Sequence, residues 1–433
     1  MTIKIKYKIV KFKAEKSIND IQSSFFTKDI SWGSHTDLLA AESTCGNYNW
    51  KNYEPDFHIE RDDEFHLIFK NECFDFDREG INHFIGTVAG NIISNSDIFE
   101  SIIVDDFEFT KDIYDLNIFP GPSMSIDELR NELFLRTFDP KKPRPIIAFS
   151  IKPRMGMSIN DYQKILEATG TTEIDIVEDD ERLVDPIYCS FNDRLSKIQE
   201  QIDCKSYPQY SINLTGNPLY LKEKLDKIYN AGIRIVKLDV MVAGFDTLLQ
   251  LRNLIKDKYK NEIAITVFPD VYGSHYRCLS RKFILKLSRL CGANIIYAGS
   301  RNWSRYGLLE KDYDLINNHN DLINPILNAT NIKTCLPTLT HDFHPSRIEH
   351  TIYDLRKGLN NHMEYAFFVG GGISGWPIGN IEDSINLLID VVGHASKVNL
   401  SQVSSVKDFH NLDNYDYGKY DKPLRDIGWP PFM

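Results

Sequence analysis

Thr172-Glu-Ile-Asp-Ile-Val-Glu178-Asp179-Asp180-Glu181 alternates apolar and polar residues and then ends in four consecutive acids. The alternation is that of a β-strand, whose neighbouring side chains point to opposite faces. Glu178 and Asp180 are therefore expected on one face, with Glu181 turning in beside them where the strand geometry relaxes. Adjacent carboxylates repel one another. Gathered at a strand end they suit a hard divalent cation such as Mg2+; the plainer reading is a solvated acidic turn.

From Pro145 onward, apolar strands alternate with amphipathic helices. Strands are expected at Ile146–Lys152, Glu173–Glu178, Tyr210–Leu214, Ile235–Val240, Ile263–Phe268, Asn294–Tyr297, Lys333–Thr338 and Tyr365–Val369. Helices are expected at Ile159–Thr169, Pro218–Ala231, Phe245–Tyr259, Arg281–Cys291, Pro345–Leu359 and Asn380–Val392. Eight strand–helix units in about 250 residues are the pattern of a (β/α)8 TIM barrel. The rival is an open doubly wound sheet, which carries a glycine-rich loop after its first strand. Lys152-Pro-Arg-Met-Gly is not such a loop.

Ahead of Pro145 the pattern is different. Residues 3–14 alternate as a half-exposed strand with one slip at Ile9-Val10, and 16–29 look helical. Short strands follow at His58–Arg61 and Phe65–Lys70, then Ile81–Asn91 as helix running into a loop, then strand at Ser101–Phe109. This mixture predicts an α+β sandwich. Phe119-Pro-Gly-Pro122 and Lys141-Lys-Pro-Arg-Pro145 interrupt it. The chain thus divides into an N-terminal α+β domain (1–122), a linker with a helix from Ile126 to Phe138 (123–144), and a barrel with a C-terminal helical extension (145–433).

At 433 residues the chain is long for one ordinary domain, and 42% apolar content describes a well-packed protein. A net charge of −11 argues against nucleic acid or an anionic membrane as partner. The seven cysteines are scattered and form no C-x-x-C pair, as expected of reduced thiols. No apolar run reaches the length of a membrane span, about 18 residues. The first residues read as a strand rather than a signal peptide, so the cytoplasm is the expected location.

Catalytic groups of such a barrel sit at the C-terminal strand ends. In turn these ends carry Lys152 and Arg154, Glu178 to Glu181, Asn213 and Thr215, Lys237 and Asp239, Asp270, Tyr297, Thr340 with His341, and Gly370-Gly-Gly372. Glycines after the last strand let backbone N–H groups approach a phosphate; alone they equally make a tight turn.

With the strand ends aligned, the chain resembles the RuBisCO large subunit, and more closely the RuBisCO-like proteins. Ala40-Ala-Glu-Ser-Thr-Cys-Gly-Asn47, Phe84-Ile-Gly-Thr-Val-Ala-Gly-Asn91 and Phe149-Ser-Ile-Lys152-Pro-Arg154-Met-Gly-Met-Ser are similar to family segments. So are Asp175-Ile-Val-Glu178-Asp-Asp-Glu181, Tyr210-Ser-Ile-Asn-Leu-Thr and Phe368-Val-Gly-Gly-Gly-Ile-Ser-Gly-Trp-Pro. The resemblance implies a homodimer whose shared active sites take Glu42, Asn47 and Asn91 from the neighbouring subunit. It implies Mg2+-assisted enolate chemistry on a small anionic, phosphorylated or carboxylated keto compound. Lys152 would be the acid/base, Asp180 and Glu181 metal ligands completed by Glu178, and Gly370-Gly371 a phosphate cradle. Asn213 and Arg154 would orient oxygens, with Asp239 a further catalytic candidate and Thr340 and Arg301 contacting substrate.

Departures from the family pattern narrow the chemistry. Its carbamylated-lysine position holds Glu178, so no lysine carbamate is expected. The histidine–arginine pair after the fifth strand reads Phe268-Pro-Asp270, the histidine after the sixth is Tyr297, and the lysine loop reads Ser300-Arg-Asn-Trp-Ser-Arg305. CO2 fixation on ribulose bisphosphate is therefore not expected. Enolisation, isomerisation, or decarboxylation with C–C cleavage stay open, the last tolerating these losses best. A non-catalytic barrel that binds a small anion is the alternative. A glycosidase is disfavoured, because its two carboxylates normally come from different strands.

Overall fold

The computed structural model describes residues 2–12, 57–60, 66–94, 99–116, 118–134, 144–204, 208–269, 278–299, 315–326, 329, 331–340, 345–374 and 380–402. The helix expected at 16–29 and the segment after residue 402 lie outside them.

Thr2–Phe12 (β1), Phe57–Glu60 (β2), His66–Lys70 (β3) and Phe99–Phe109 (β4) form a four-stranded antiparallel sheet in the order β2-β3-β1-β4. The slip read at Ile9-Val10 appears as a register shift between Ile9 and Lys11, and another lies between Lys6 and Tyr7. Alternation places Ile3, Ile5 and Tyr7 inward, against the helix Gly80–Ser94 (α1), which supplies Ile81, Phe84 and Val88. This helix runs on past Asn91, where the sequence suggested a loop.

The domain is seated on the outside of the barrel by aromatic rings and by two carboxylates. Phe107 packs edge-on to Phe283 at 5.0 Å, and Phe84 stacks on the same ring at 6.2 Å; such pairs add about 0.5–1.5 kcal/mol beyond burial. Asp246 accepts from Ile81 N (2.6 Å) and Asn82 N (3.2 Å), satisfying orphan donors at the start of α1. Asp106 pairs with Lys282 (2.7 Å) and Lys286 (3.0 Å).

Eight parallel strands close the barrel: Ile146–Ser150 (β5), Ile176–Glu178 (β6), Gln209–Asn213 (β7), Ile235–Asp239 (β8), Ala264–Phe268 (β9), Ile295–Tyr297 (β10), Leu336–Leu339 (β11) and Ala366–Val369 (β12). Each lies within three residues of its expected span at either end. Helices between them start where Ser or Asn accepts from a first-turn amide, as at Ser158, Ser190, Ser280 and Asn380. The helix Phe191–Asp203 was not singled out from sequence. No helix among the described residues is long and apolar enough to cross a membrane.

The register sorts the barrel interior into layers drawn from alternate strands. Ile176, Ile235, Ile295 and Ala366 make an apolar layer. Above it come Ala148, Ser211, Thr266 and Thr338, and above these Glu178, Lys237, Tyr297 and Phe368. The lower end is stoppered by Met124 with Ile126 and Leu129 of the helix Ile126–Leu133, which pack with Ile146, Ile235 and Leu336. That helix opens with a capping box between Ser125 and Glu128.

Candidate active site

The upper interior is charged. Glu178, wholly buried, ends β6 and points into the lumen. Its Oε1 accepts from Ser150 Oγ (2.6 Å), from Lys237 Nζ (2.7 Å) and from Tyr297 OH. Its Oε2 has no hydrogen-bond partner among the described residues, and neither do the hydroxyls of Ser211, Thr266 and Thr338 in the layer below. Burial pushes the Glu178 carboxyl above its ordinary range, against the pull of Lys237, Ser150 and Tyr297. For Lys237 burial works against the charged form, but Glu178 outweighs it and raises the pKa, with Glu181 and Asp180 adding. Burial, reinforced by Glu178, also raises Tyr297 well above its ordinary value.

Asp179 faces the other way. It accepts from Tyr162 OH (2.9 Å), Arg194 Nε (3.2 Å) and the backbone N–H of Asn213 (3.1 Å). Arg194 donates onward to the carbonyls of Val184 (2.7 Å), Leu183 (3.2 Å) and Cys189 (2.5 Å). This buried pair fastens the connection after β6 to the helix Phe191–Asp203.

Asp180 returns to the mouth. One oxygen receives Lys152 Nζ and lies 3.9 Å from Arg154 Nε; the other accepts from Arg182 N at 2.9 Å. Burial would favour the neutral acid, but the Lys152 ammonium outweighs it and holds Asp180 below the usual carboxylate range. Glu181 lies 3.4 Å from Arg154 Nη2. The Arg154 side chain is 54% exposed and that of Lys152 is 19% exposed, so both cations reach solvent while Asp180 does not.

Gly370 has a part in placing Lys152. A Cβ there would fall 2.8 Å from Lys152 Cε and 3.3 Å from the Ser150 carbonyl. The missing side chain is the gap through which Lys152 crosses towards Asp180. Gly371 opens a helix of only four residues, Gly371–Ser374. Thr340 is buried just beyond β11.

Asn213 uses its amide on the chain itself: Nδ2 donates to the carbonyls of Asp180 and Glu181 (both 3.0 Å), and Oδ1 accepts from Thr215 N (2.9 Å). It holds the acidic turn in place. Asp239 Oδ1 caps the short helix Val240–Ala243 by accepting from Met241 N at 3.1 Å. Glu42, Asn47, Asp270, Arg301 and His341 lie outside the described residues, as does the side chain of Asn91. The structure thus brings Lys152, Arg154, Glu178, Asp180, Glu181 and Gly370 together at one mouth. It adds Ser150, and it places Lys237 and Tyr297, legible from sequence only as strand-end residues, against Glu178. The signal for Lys237 was there: a lysine at an inward position of an otherwise apolar parallel strand.

The donor set does not suit the expected Mg2+. Glu178 and Asp180, which a divalent cation would need, each already receive an ammonium. Among the described residues no group of three or more His, Cys, Asp or Glu is arranged to hold a metal ion.

Comparison with known proteins agrees with the fold. The family described as ribulose bisphosphate carboxylase large chain, catalytic domain, matches residues 134–387. The ribulose bisphosphate carboxylase of Pyrococcus furiosus is 24% identical over 360 residues, covering 79% of this chain and 80% of its own. A ribulose bisphosphate carboxylase-like protein of Archaeoglobus fulgidus is 24% identical over 303 residues, covering 68% of this chain and 63% of its own. Among solved structures, the dimeric archaeal Rubisco of Hyperthermus butylicus superposes with TM-score 0.72 at 20% identity, covering 99% of this chain and 96% of that one. A rubisco-like protein of Burkholderia fungorum gives TM-score 0.71 at 14% identity, covering 98% of both. With its closed barrel and a family match over more than half of its length, the chain belongs to the RuBisCO large-chain family, with a RuBisCO-like protein among its relatives.

Proposed function

We propose that the protein is an enzyme that binds a small carboxylated or phosphorylated keto compound at the barrel mouth and cleaves a C–C bond next to the carbonyl, as in decarboxylation of a 3-oxo acid. The observation that carries this reading is the Lys152–Asp180 pair, a solvent-reaching ammonium held against a buried carboxylate. Held against the Asp180 carboxylate, the Lys152 amine is placed to donate a proton. In the reaction the bond between the α-carbon and the carboxylate breaks, and its electron pair moves through the α-carbon onto the carbonyl oxygen, forming an enolate as CO2 leaves. Lys152 then delivers its proton to the carbon, and solvent returns a proton to the amine. Arg154, half exposed beside it, pairs with the substrate's anionic group and with the charge growing on oxygen.

Turnover of a panel of 3-oxo acids in D2O tests this. One solvent deuteron is expected in each product molecule, and Lys152→Met is expected to lower the rate by roughly 100-fold or more. Turnover indifferent to Lys152→Met would sink the assignment. Deuterium entering phosphorylated ketones without bond cleavage would favour enolisation instead. A binding-only barrel is the second reading, favoured because each carboxylate of the acidic run already has an internal cationic partner. Saturable binding across the panel with no turnover would select it.

We further propose that two copies associate through the mouth. Met155, Ile187, Leu219 and Val242 are exposed apolar side chains on four successive strand–helix connections, Ile187 at 98% and Leu219 at 84%. Exposed apolar side chains repeated around one end of a barrel suit an interaction surface. Sedimentation should give a dimer for the native chain and a monomer for Ile187→Lys/Leu219→Lys; a native monomer would refute it.

A further inference from the structure

The family generally works with Mg2+, and this chain's mouth is made differently. Lys237 Nζ lies 2.7 Å from Glu178 Oε1 and 3.2 Å from the Asp179 carbonyl, with only 1% of its side chain exposed. The rings of Phe268 and Tyr297 lie 5.2 and 5.1 Å from the same nitrogen. A carboxylate, a carbonyl and two aromatic faces are the surroundings of a bound cation, and here the chain supplies the cation itself. At the same mouth Asp180 receives Lys152, and Glu181 lies beside Arg154. Among the described residues, Glu178, Asp180 and Glu181 are thus each matched by a cation of the chain.

We propose that Lys237 is a resident cation standing in place of the divalent ion, so that the mouth of this barrel is charged without added metal. Glutamate at position 178 fits this role. It brings a negative charge that meets the amine of β8 inside the lumen at 2.7 Å. The inference concerns the site used in the functional reading but does not need that reaction.

Thermal unfolding of the intact protein in EDTA and in millimolar MgCl2, with equilibrium dialysis against Mg2+, tests it. A ligand that binds only the folded state raises Tm in a saturable way. The native protein is expected to show the same Tm in both buffers and to retain no Mg2+. Lys237→Met strips Glu178 of its counter-charge; it should melt lower in EDTA and gain a saturable rise with Mg2+. The double variant Glu178→Gln/Lys237→Met removes both charges and should fold and ignore Mg2+. A native Tm that climbs saturably with Mg2+ and loses that response in Asp180→Asn overturns the proposal, and so does a folded Lys237→Met that ignores Mg2+. If Lys237→Met does not fold, the native titration alone decides. Because every readout is binding or stability, failure of the proposed reaction leaves this result standing, and the reverse.

Discussion

Glu178 and Asp179 are neighbours in sequence, both buried, and each bonded to a buried cation, yet they sit in different surroundings. On the outer side Asp179 and Arg194 satisfy each other within a closed network of a tyrosine hydroxyl, a backbone amide and three carbonyls. On the lumen side Glu178 keeps one bare oxygen above three hydroxyls that also lack partners among the described residues. Satisfied buried networks rigidify; partly satisfied ones are costly and are kept where they serve chemistry. The outer pair therefore reads as architecture and the inner pair as part of the working site.

The largest expected effect lies outside. Arg194→Met should lower stability by about 3–5 kcal/mol, because it leaves a buried carboxylate uncompensated. Adding Asp179→Asn should recover little, since three carbonyls still lack their donor, at about 1–3 kcal/mol each. Inside, Lys237→Met should cost roughly 3 kcal/mol, and adding Glu178→Gln should recover most of it, because apolar replacement of a buried pair is often near neutral. Urea unfolding of all four variants measures both recoveries. Equal recovery in the two would erase the distinction between the pairs.

A smaller effect, but one that depends on pH, belongs to the domain seam. Burial disfavours the Asp106 anion, but Lys286 and Lys282 outweigh it and hold its pKa below the ordinary value. A carboxyl lowered on folding stabilises above its unfolded pKa, about 4, and that contribution fades as pH falls through the folded value. Asp106→Asn should therefore lower stability near neutral pH and by less near pH 3. A loss constant across this range would mean that the lysines do not set its titration.

Much of the barrel was legible because periodicity is local. Phe245–Tyr259 and Arg281–Cys291 came out at their observed limits, since apolar spacing and the caps around them lie within one segment. The acidic run was legible as a feature but not in its pairing. Which acid meets Lys152, Lys237 or Arg194 depends on strand register and on cations 15 to 59 residues away. A strand rule places Glu178 and Asp180 on one face. It does not reveal that Glu178 is the acid that meets Lys237, nor that Gly370 serves as a passage for Lys152.

The stopper formed by Met124, Ile126 and Leu129 fills the lower rim, so that among the described residues the upper mouth is the barrel's doorway. Whatever enters must leave by the way it came, past Lys152 and Arg154, so arrival and departure compete for the same threshold. Its two cations already hold carboxylates, so an arriving anion competes with Asp180 and Glu181 for them, and salt weakens both the old partnership and the new.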